Sequence, residues 1–347
     1  MVRRILGTGL VALMLAGVAA CGSSGTSSSA TTTTPGGAEA SSAASAFPVT
    51  IQSTLGAVTI KSQPKRVVTL GWGSQDAALA LGVVPVGMQD FSSDCGCKDG
   101  ILPWDRDKLD GATPVMIKAT TDSVPFEQIA SLHPDVILAV YSGVTAEQYA
   151  KLSQIAPTVG YPGKAWITSW QDQVKIVGQA LGRSEQAATL IRETDDRIAA
   201  AAKEHPEFKG KTIAFGSGTQ AGSFNFYYDD DARVELLTQL GFTASPSVSR
   251  LGSGGSANSF AKQVSLELLP GVKTDVLVAW YLNSATQKSI EDNQLFQQLP
   301  YVKSGSYVAI TDPPLVYATS AVNVLSLPWM LDQYLPLLSK AAKNASG

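Results

Sequence analysis

An α/β chain of two parallel-sheet lobes separated by a purely helical stretch is the fold class the sequence predicts, on three observations. First, PFEQIASLHPDVILAV at 125–140 returns without a gap as SLELLPGVKTDVLVAW at 265–280, which puts Glu127 over Glu267, Asp135 over Asp275, Val136 over Val276 and Ala139 over Ala279. Each copy reads as an amphipathic helical turn with an exposed Glu, a break, and then an Asp that opens an apolar run suited to a strand buried on both faces of a parallel sheet. Second, strand and helix patterns alternate on both sides of the middle of the chain, as in α/β proteins. Third, from Trp166 to about Lys203 the alternation stops, and apolar residues recur only at helical spacing.

Taken in order, FPVTIQSTLGAVTI alternates like a hairpin. In PKRVVTLGWGSQDAALALGVVPVG (64–87), VVTL is a buried strand, GWGSQD a turn with a helix N-cap, DAALALG a helix closed by Gly82, and VVPVG the next strand. PVMI, the helix at 125–132, VILAV, the helix TAEQYAKLSQIA and PTVG continue the alternation to residue 160. In the middle, Trp170, Val174, Val177 and Leu181 mark one helix and Ala187, Ile191 and Ile198 a second, longer one, with Gly182 between them. Alternation returns with the strand KTIAFGSG, the helix ARVELLTQLG, the repeat at 265–280, a helix at IEDNQLFQQL, the strand YVAI and a last helix, NVLSLPWMLDQYLPLLSKAAK. The acidic run YYDDD (227–231) suits the N-terminus of the helix that follows it.

The N-terminus carries a different signal. Arg3 and Arg4 precede an apolar stretch, Ile5 to Ala20, too short for a membrane span and ending in small residues. VAAC at 18–21 resembles a bacterial lipobox, which implies cleavage before Cys21 and diacylglycerol on its sulfur. Residues 22–46 are mostly Gly, Ser, Thr and Ala and read as a flexible tether. The chain therefore divides into a leader (1–20), a lipidated Cys with linker (21–46), a first lobe (47–163), a connecting helix (164–208) and a second lobe (209–347).

Net charge is −3, and losing Arg3 and Arg4 with the leader makes it more negative, which gives nucleic acid no footing. With Cys21 lipidated, Cys95 and Cys97 form a spare pair outside the cytoplasm. They read as a disulfide rather than a metal site, because no His lies nearby. Only His133 and His205 exist, each before a Pro, so the His-rich ligation that a receptor for bare Zn or Mn needs is not expected. GWGSQ and LGSGGS are poor nucleophile elbows, and Pro64 spoils SQPK as S-x-x-K. Neither a P-loop nor a dinucleotide fingerprint is present. No catalytic constellation emerges, and the expectation is a binding protein rather than an enzyme.

The stretches PKRVVTLGWGSQDAALALGVVPVG, FEQIASLHPDVILAV, LSQIAPTV and VSLELLPGVKTDVLV resemble the substrate-binding proteins of iron–siderophore, haem and cobalamin ABC importers, and ILPW at 101–104 narrows the likeness to actinobacterial FecB-type lipoproteins. The resemblance spans nearly all of 57–340. It implies two Rossmann-like lobes joined by one long backbone helix, the class III periplasmic-binding-protein type. It also implies an extracytoplasmic, lipid-anchored monomer that carries its ligand to permease and ATPase subunits, docking through one surface Glu per lobe; Glu127 and Glu267 are the candidates. The ligand implied is a ferric siderophore, with haem, cobalamin or a non-transport surface role as alternatives, and no cofactor or resident metal. In open α/β sheets a ligand lies beyond the carboxyl ends of the strands. A bulky iron chelate needs aromatic walls and a cation or hydrogen-bond donors. Trp72, Phe91, Trp104, Tyr141, Tyr227, Trp280 and Tyr281 are the aromatic candidates and Arg250 the cation. Without an evident Arg cluster in the second lobe, a neutral or weakly charged ligand such as a hydroxamate is favoured over an anionic catecholate.

Overall fold

A computed structural model describes residues 46–251 and 260–345. The leader, the tether and Cys21 lie outside the described residues.

The hairpin forms as expected from β1 (Val49–Ser53) and β2 (Gly56–Ile60), in antiparallel register with Val49 opposite Ile60. The first lobe is a five-stranded sheet of β3 (Val67–Thr69), β4 (Gly87–Gln89), β5 (Val115–Ile117), β6 (Val136–Leu138) and β7 (Thr158–Val159), ordered β5-β4-β3-β6-β7 and parallel throughout. Its helices are α1 (Ser74–Ala80), α2 (Phe126–Ser131) and α3 (Ala146–Ile155). A reciprocal capping box starts α3: the Thr145 side chain accepts from Gln148 N and the Gln148 side chain accepts from Thr145 N. VVPVG is not a strand. Gly82 N and Val83 N donate back to Leu79 O and Ala78 O, which closes α1, and the ladder resumes only when Val86 N reaches Val67 O, beyond Pro85.

Two helices follow, α4 (Trp170–Ala180) and α5 (Ser184–Glu204), broken at Gly182, whose φ is +68°. α4 lies against α1 and β1 of the first lobe, and α5 is the long helix that leads across to the second. The second lobe holds β8 (Thr212–Gly218), β9 (Ser223–Tyr227), β10 (Thr243–Ala244), β11 (Ala261–Ser265), β12 (Val276–Tyr281) and β13 (Tyr307–Ile310), with α6 (Ala232–Gln239), α7 (Ser284–Glu291), α8 (Pro313–Ser320) and α9 (Ser326–Asn344). The sheet order is β11-β9-β8-β12-β13, with β10 beside the start of β8. β10, β12 and β13 run parallel to β8, but β9 is antiparallel, an insertion the sequence reading did not foresee. The helix expected over IEDNQLFQQL splits into α7 and a turn at Gln294–Gln297, because Asn293 caps the second segment through Leu295 N.

The repeat has a physical meaning. Asp135 accepts from Lys65 N (2.7 Å) and Arg66 N (2.9 Å), and its own N–H returns to Arg66 O. Asp275 accepts from Thr212 N (2.7 Å) and Thr212 Oγ1 (2.8 Å), and its N–H returns to Thr212 O. Each Asp thus ties the start of its own strand, β6 or β12, to the start of the lobe's first strand, β3 or β8. The parallel registers Val67 to Val136 and Ile213 to Val276 follow from that knot. The copies differ at the preceding helix: α2 is α-helical, whereas Leu266–Gly271, with Pro270 inside, is a 3-10 turn. One core of buried side chains runs through both lobes, from Val67 and Tyr141 to Phe215 and Tyr317.

Candidate binding cleft

Beyond the carboxyl ends of the first-lobe strands, a pocket of about 170 Å³ is lined by Gly71, Trp72, Gln89, Asp94, Ser142 and Trp166, among others. Gly71 has φ +77°, and a Cβ there would lie 2.4 Å from Tyr141 O; only glycine lets the β3 and β6 exits approach so closely, with Trp72 N donating to Tyr141 O at 2.8 Å. The rings of Trp72 and Tyr141 therefore meet edge-on at 6.4 Å. Trp166, held at φ +60°, completes a triangle of rings, 5.1 Å from Trp72 and 5.9 Å from Tyr141. A non-glycine residue in that conformation is strained, and such strain concentrates at binding sites. Burial pushes the Tyr141 phenol well above its usual range. Asp94 is raised too, by desolvation and then by Asp90.

Tyr317 on α8 brings the second lobe to this wall. Its ring lies 5.1 Å from Trp72, 5.0 Å from Phe91 and 6.3 Å from Trp104, and Trp104 in turn meets Trp329 of α9 at 5.1 Å. Phe91 and Trp104 are buried in this seam. The rest of the second wall is Tyr227, Trp280 and Arg233. Trp280 Nε1 donates to Tyr227 Oη at 3.2 Å, and Phe260 lies parallel to the Tyr227 ring. The Arg233 guanidinium stands 4.2 Å over the same ring and is clasped by both carboxylate oxygens of Asp231, at 3.0 and 2.9 Å. Burial opposes the charge on Arg233, but Asp231, Tyr227 and Tyr141 of the other lobe outweigh it and hold the group above its usual range. Arg233 Nε is buried without a partner among the described residues.

Six of the eight predicted ligand residues therefore line or buttress the cleft: Trp72, Phe91, Trp104, Tyr141, Tyr227 and Trp280. Tyr281 does not. Successive strand residues point to opposite faces, and Tyr281 joins Leu277 and Phe296 on the far side of the sheet, where its hydroxyl bonds that of Tyr307. Arg250 is exposed at the end of the short turn Pro246–Ser249, and its guanidinium donates to Ser247 Oγ at 3.2 Å; the structure does not bring it into the aromatic seam. The sequence reading missed Arg233, Trp166 and Tyr317. The signal for Tyr317 was Asp312-Pro-Pro, a cap followed by proline at the first helical positions, which starts α8. For Arg233 it was the acidic run itself: Asp231 caps α6 and faces the Arg two residues on.

Cys95 and Cys97 are joined by a disulfide in the loop between Phe91 and Trp104. Glu127 and Glu267 are both exposed, in the first turns of α2 and of Leu266–Gly271, with no ion-pair partner among the described residues.

Facing aromatic walls at the strand ends of two sheets define a two-lobed small-molecule binding protein. The chain belongs to the periplasmic binding protein family, whose model matches residues 67–314. It is similar to the Fe(3+) dicitrate-binding periplasmic protein FecB of Escherichia coli K12, at 28% identity over 73% of this chain and 79% of FecB. It is also similar to the iron(3+)-hydroxamate-binding protein YxeB of Bacillus subtilis 168, at 26% identity over 93% of this chain and 94% of YxeB. Among solved structures, Streptococcus pneumoniae TIGR4 PiaA in complex with ferrichrome superposes with a TM-score of 0.76 at 33% identity, over 85% of this chain and 99% of that one.

Proposed function

We propose that this chain is the extracytoplasmic substrate-binding component of an ABC importer, that it captures a ferric siderophore between Trp72, Trp166 and Tyr141 on one side and Tyr227, Trp280 and Arg233 on the other, and that it delivers the siderophore to a permease. The carrying observation is the pair of aromatic walls, the second of which holds a buried guanidinium over the Tyr227 ring. Iron-chelate binding by FecB, YxeB and PiaA supports the substrate class. The cleft charge supports a neutral or weakly charged chelate: Asp231 already neutralises Arg233, and Asp94 adds a carboxyl to the first-lobe pocket. Small-molecule sites run to ~300–1,000 Å³, so entry requires Tyr317 to part from Trp72. The protein acts as a monomer without chemistry of its own, held at the membrane by lipid on Cys21.

Tryptophan fluorescence of the mature chain, titrated with ferrichrome, ferric citrate, a ferric catecholate, haemin and cobalamin, tests this. Saturable quenching by ferrichrome with Kd of about 1 μM or tighter is expected. Saturation by haemin or cobalamin alone, or by nothing in the panel, overturns the siderophore assignment.

A further inference from the structure

Beneath the aromatic seam lies a pair of carboxyl groups that reaches no surface. Asp76, in the first turn of α1, and Asp105, directly after Trp104, are both fully buried. Asp76 accepts from Trp104 Nε1 at 2.6 Å and from Gln75 Nε2 at 2.7 Å, with Asn323 of the second lobe within reach. The Asp105 side chain meets Asp76, and neither of its oxygens has a hydrogen-bond donor among the described residues.

Among the described residues no positive charge reaches the pair. Arg106, next in the chain, turns its guanidinium to the carbonyls of Lys98 and Ile101 and towards Asp99. From α8 the pair faces the neutral Tyr317 phenol, whose hydroxyl has no partner among the described residues and which also feels the Asp94 carboxyl. Two carboxylates in contact in a buried, cation-free site do not both ionise. One proton between them turns repulsion into a short O–H···O hydrogen bond.

We propose that Asp76 and Asp105 share a proton at neutral pH and act as positioning residues for the cleft, holding the Trp104 indole between Tyr317 and Trp329 so that the floor common to both lobes keeps its ligand-receiving shape. Only the ligand-affinity part of this rests on the siderophore assignment. Burial raises Asp76 to about 7, and burial together with Asp76 raises Asp105 well above the carboxylate range. The folded protein therefore holds protons that the unfolded carboxyls release near pH ~4. The sign follows: stability falls as pH rises above about 4, and goes on falling until the folded pair gives up its proton, because the folded state binds the extra proton over that range.

The direct readout needs no ligand. Infrared difference spectra of the folded protein at pH ~7 show a protonated-carboxyl C=O band in the wild type, and the band is shifted and weakened in Asp105→Asn, which has one carboxyl fewer. Asp105→Ala, which removes the shared proton's second carboxyl and leaves Asp76 only Trp104 and Gln75 as donors, binds ferrichrome about tenfold more weakly and shows altered Trp emission. Asp105→Asn, whose amide donates where the carboxyl proton did, recovers most of that loss and has a shallower fall of melting temperature with pH. Absence of the band from the wild type overturns the shared proton, and Asp105→Asn as weak as Asp105→Ala overturns the positioning role. If the wild type itself ignores ferrichrome, the ligand assignment fails, and the infrared band and the pH slope still decide the proton.

Discussion

The Arg233 guanidinium is fixed on two sides, by the Asp231 carboxylate and by the face of Tyr227, and its Nε is left over. An oriented fork of this kind offers a planar donor to oxygens of an iron chelate, which lysine cannot reproduce even though it keeps the charge. Arg233→Lys preserves an ion pair with Asp231, so Asp231 is not stranded in its burial, and the fold survives. Ferrichrome affinity is expected to drop about tenfold, or ~1.4 kcal/mol, with a melting temperature lowered by only a few degrees. Equal affinity of variant and wild type would remove Arg233 from the ligand contacts. The same position shows where sequence reasoning stops at single residues. Composition exposes Arg250 and Arg233 equally; the acidic run marks Asp231 as a cap two residues before Arg233, but burial of that pair against Tyr227 depends on contacts distant in sequence. Trp280 and Tyr281 make the complementary point: strand alternation alone puts them on opposite faces, so only one could have belonged to the cleft.

At the scale of elements, the repeat was the most legible feature because it encodes a local knot rather than a distant contact. Asp135 and Asp275 each bridge the starts of two parallel strands through charge-assisted bonds to backbone N–H. Replacing either by Asn weakens those bonds without opening a cavity. Each substitution is expected to cost about 1 kcal/mol, and the two lie in different sheets, so their effects should add in the double variant. Urea unfolding of Asp135→Asn, Asp275→Asn and the pair measures this, and a strongly non-additive pair would mean that the knots are not independent. Elements without such local signals were the ones missed. In β9 the alternation of Phe224 and Phe226 with polar neighbours covers only five residues, and its antiparallel place beside β8 depends on Gly216, where a Cβ would lie 2.5 Å from Asn225 O. The apolar run VVPVG misled in the other direction, since Val83 closes a helix and Pro85 cannot serve the ladder, which only Val86 rejoins.

Across the whole molecule, the two halves are tied by the long helix α5 and by one continuous core, while aromatic contacts between Tyr317 and Trp72 close the cleft. Such a body offers a partner the same kind of feature twice. Glu127 follows the exit of β5 and Glu267 the exit of β11, so both stand at the strand-end side of their lobes, exposed and without an ion-pair partner among the described residues. Leu268, 56% exposed beside Glu267, adds an apolar neighbour to the carboxylate. A two-fold permease with a basic pocket for each would be engaged by both acids at once, so each charge adds to docking only when the other is seated. Reversing one, Glu127→Lys or Glu267→Lys, is therefore expected to lower uptake of labelled ferric siderophore in cells, and reversing both to abolish it. Neither residue touches the aromatic walls, so fluorescence titration of the purified variants should return the wild-type Kd. Wild-type uptake in the double variant would remove the acids from docking, and a weakened Kd would instead place their effect inside the cleft.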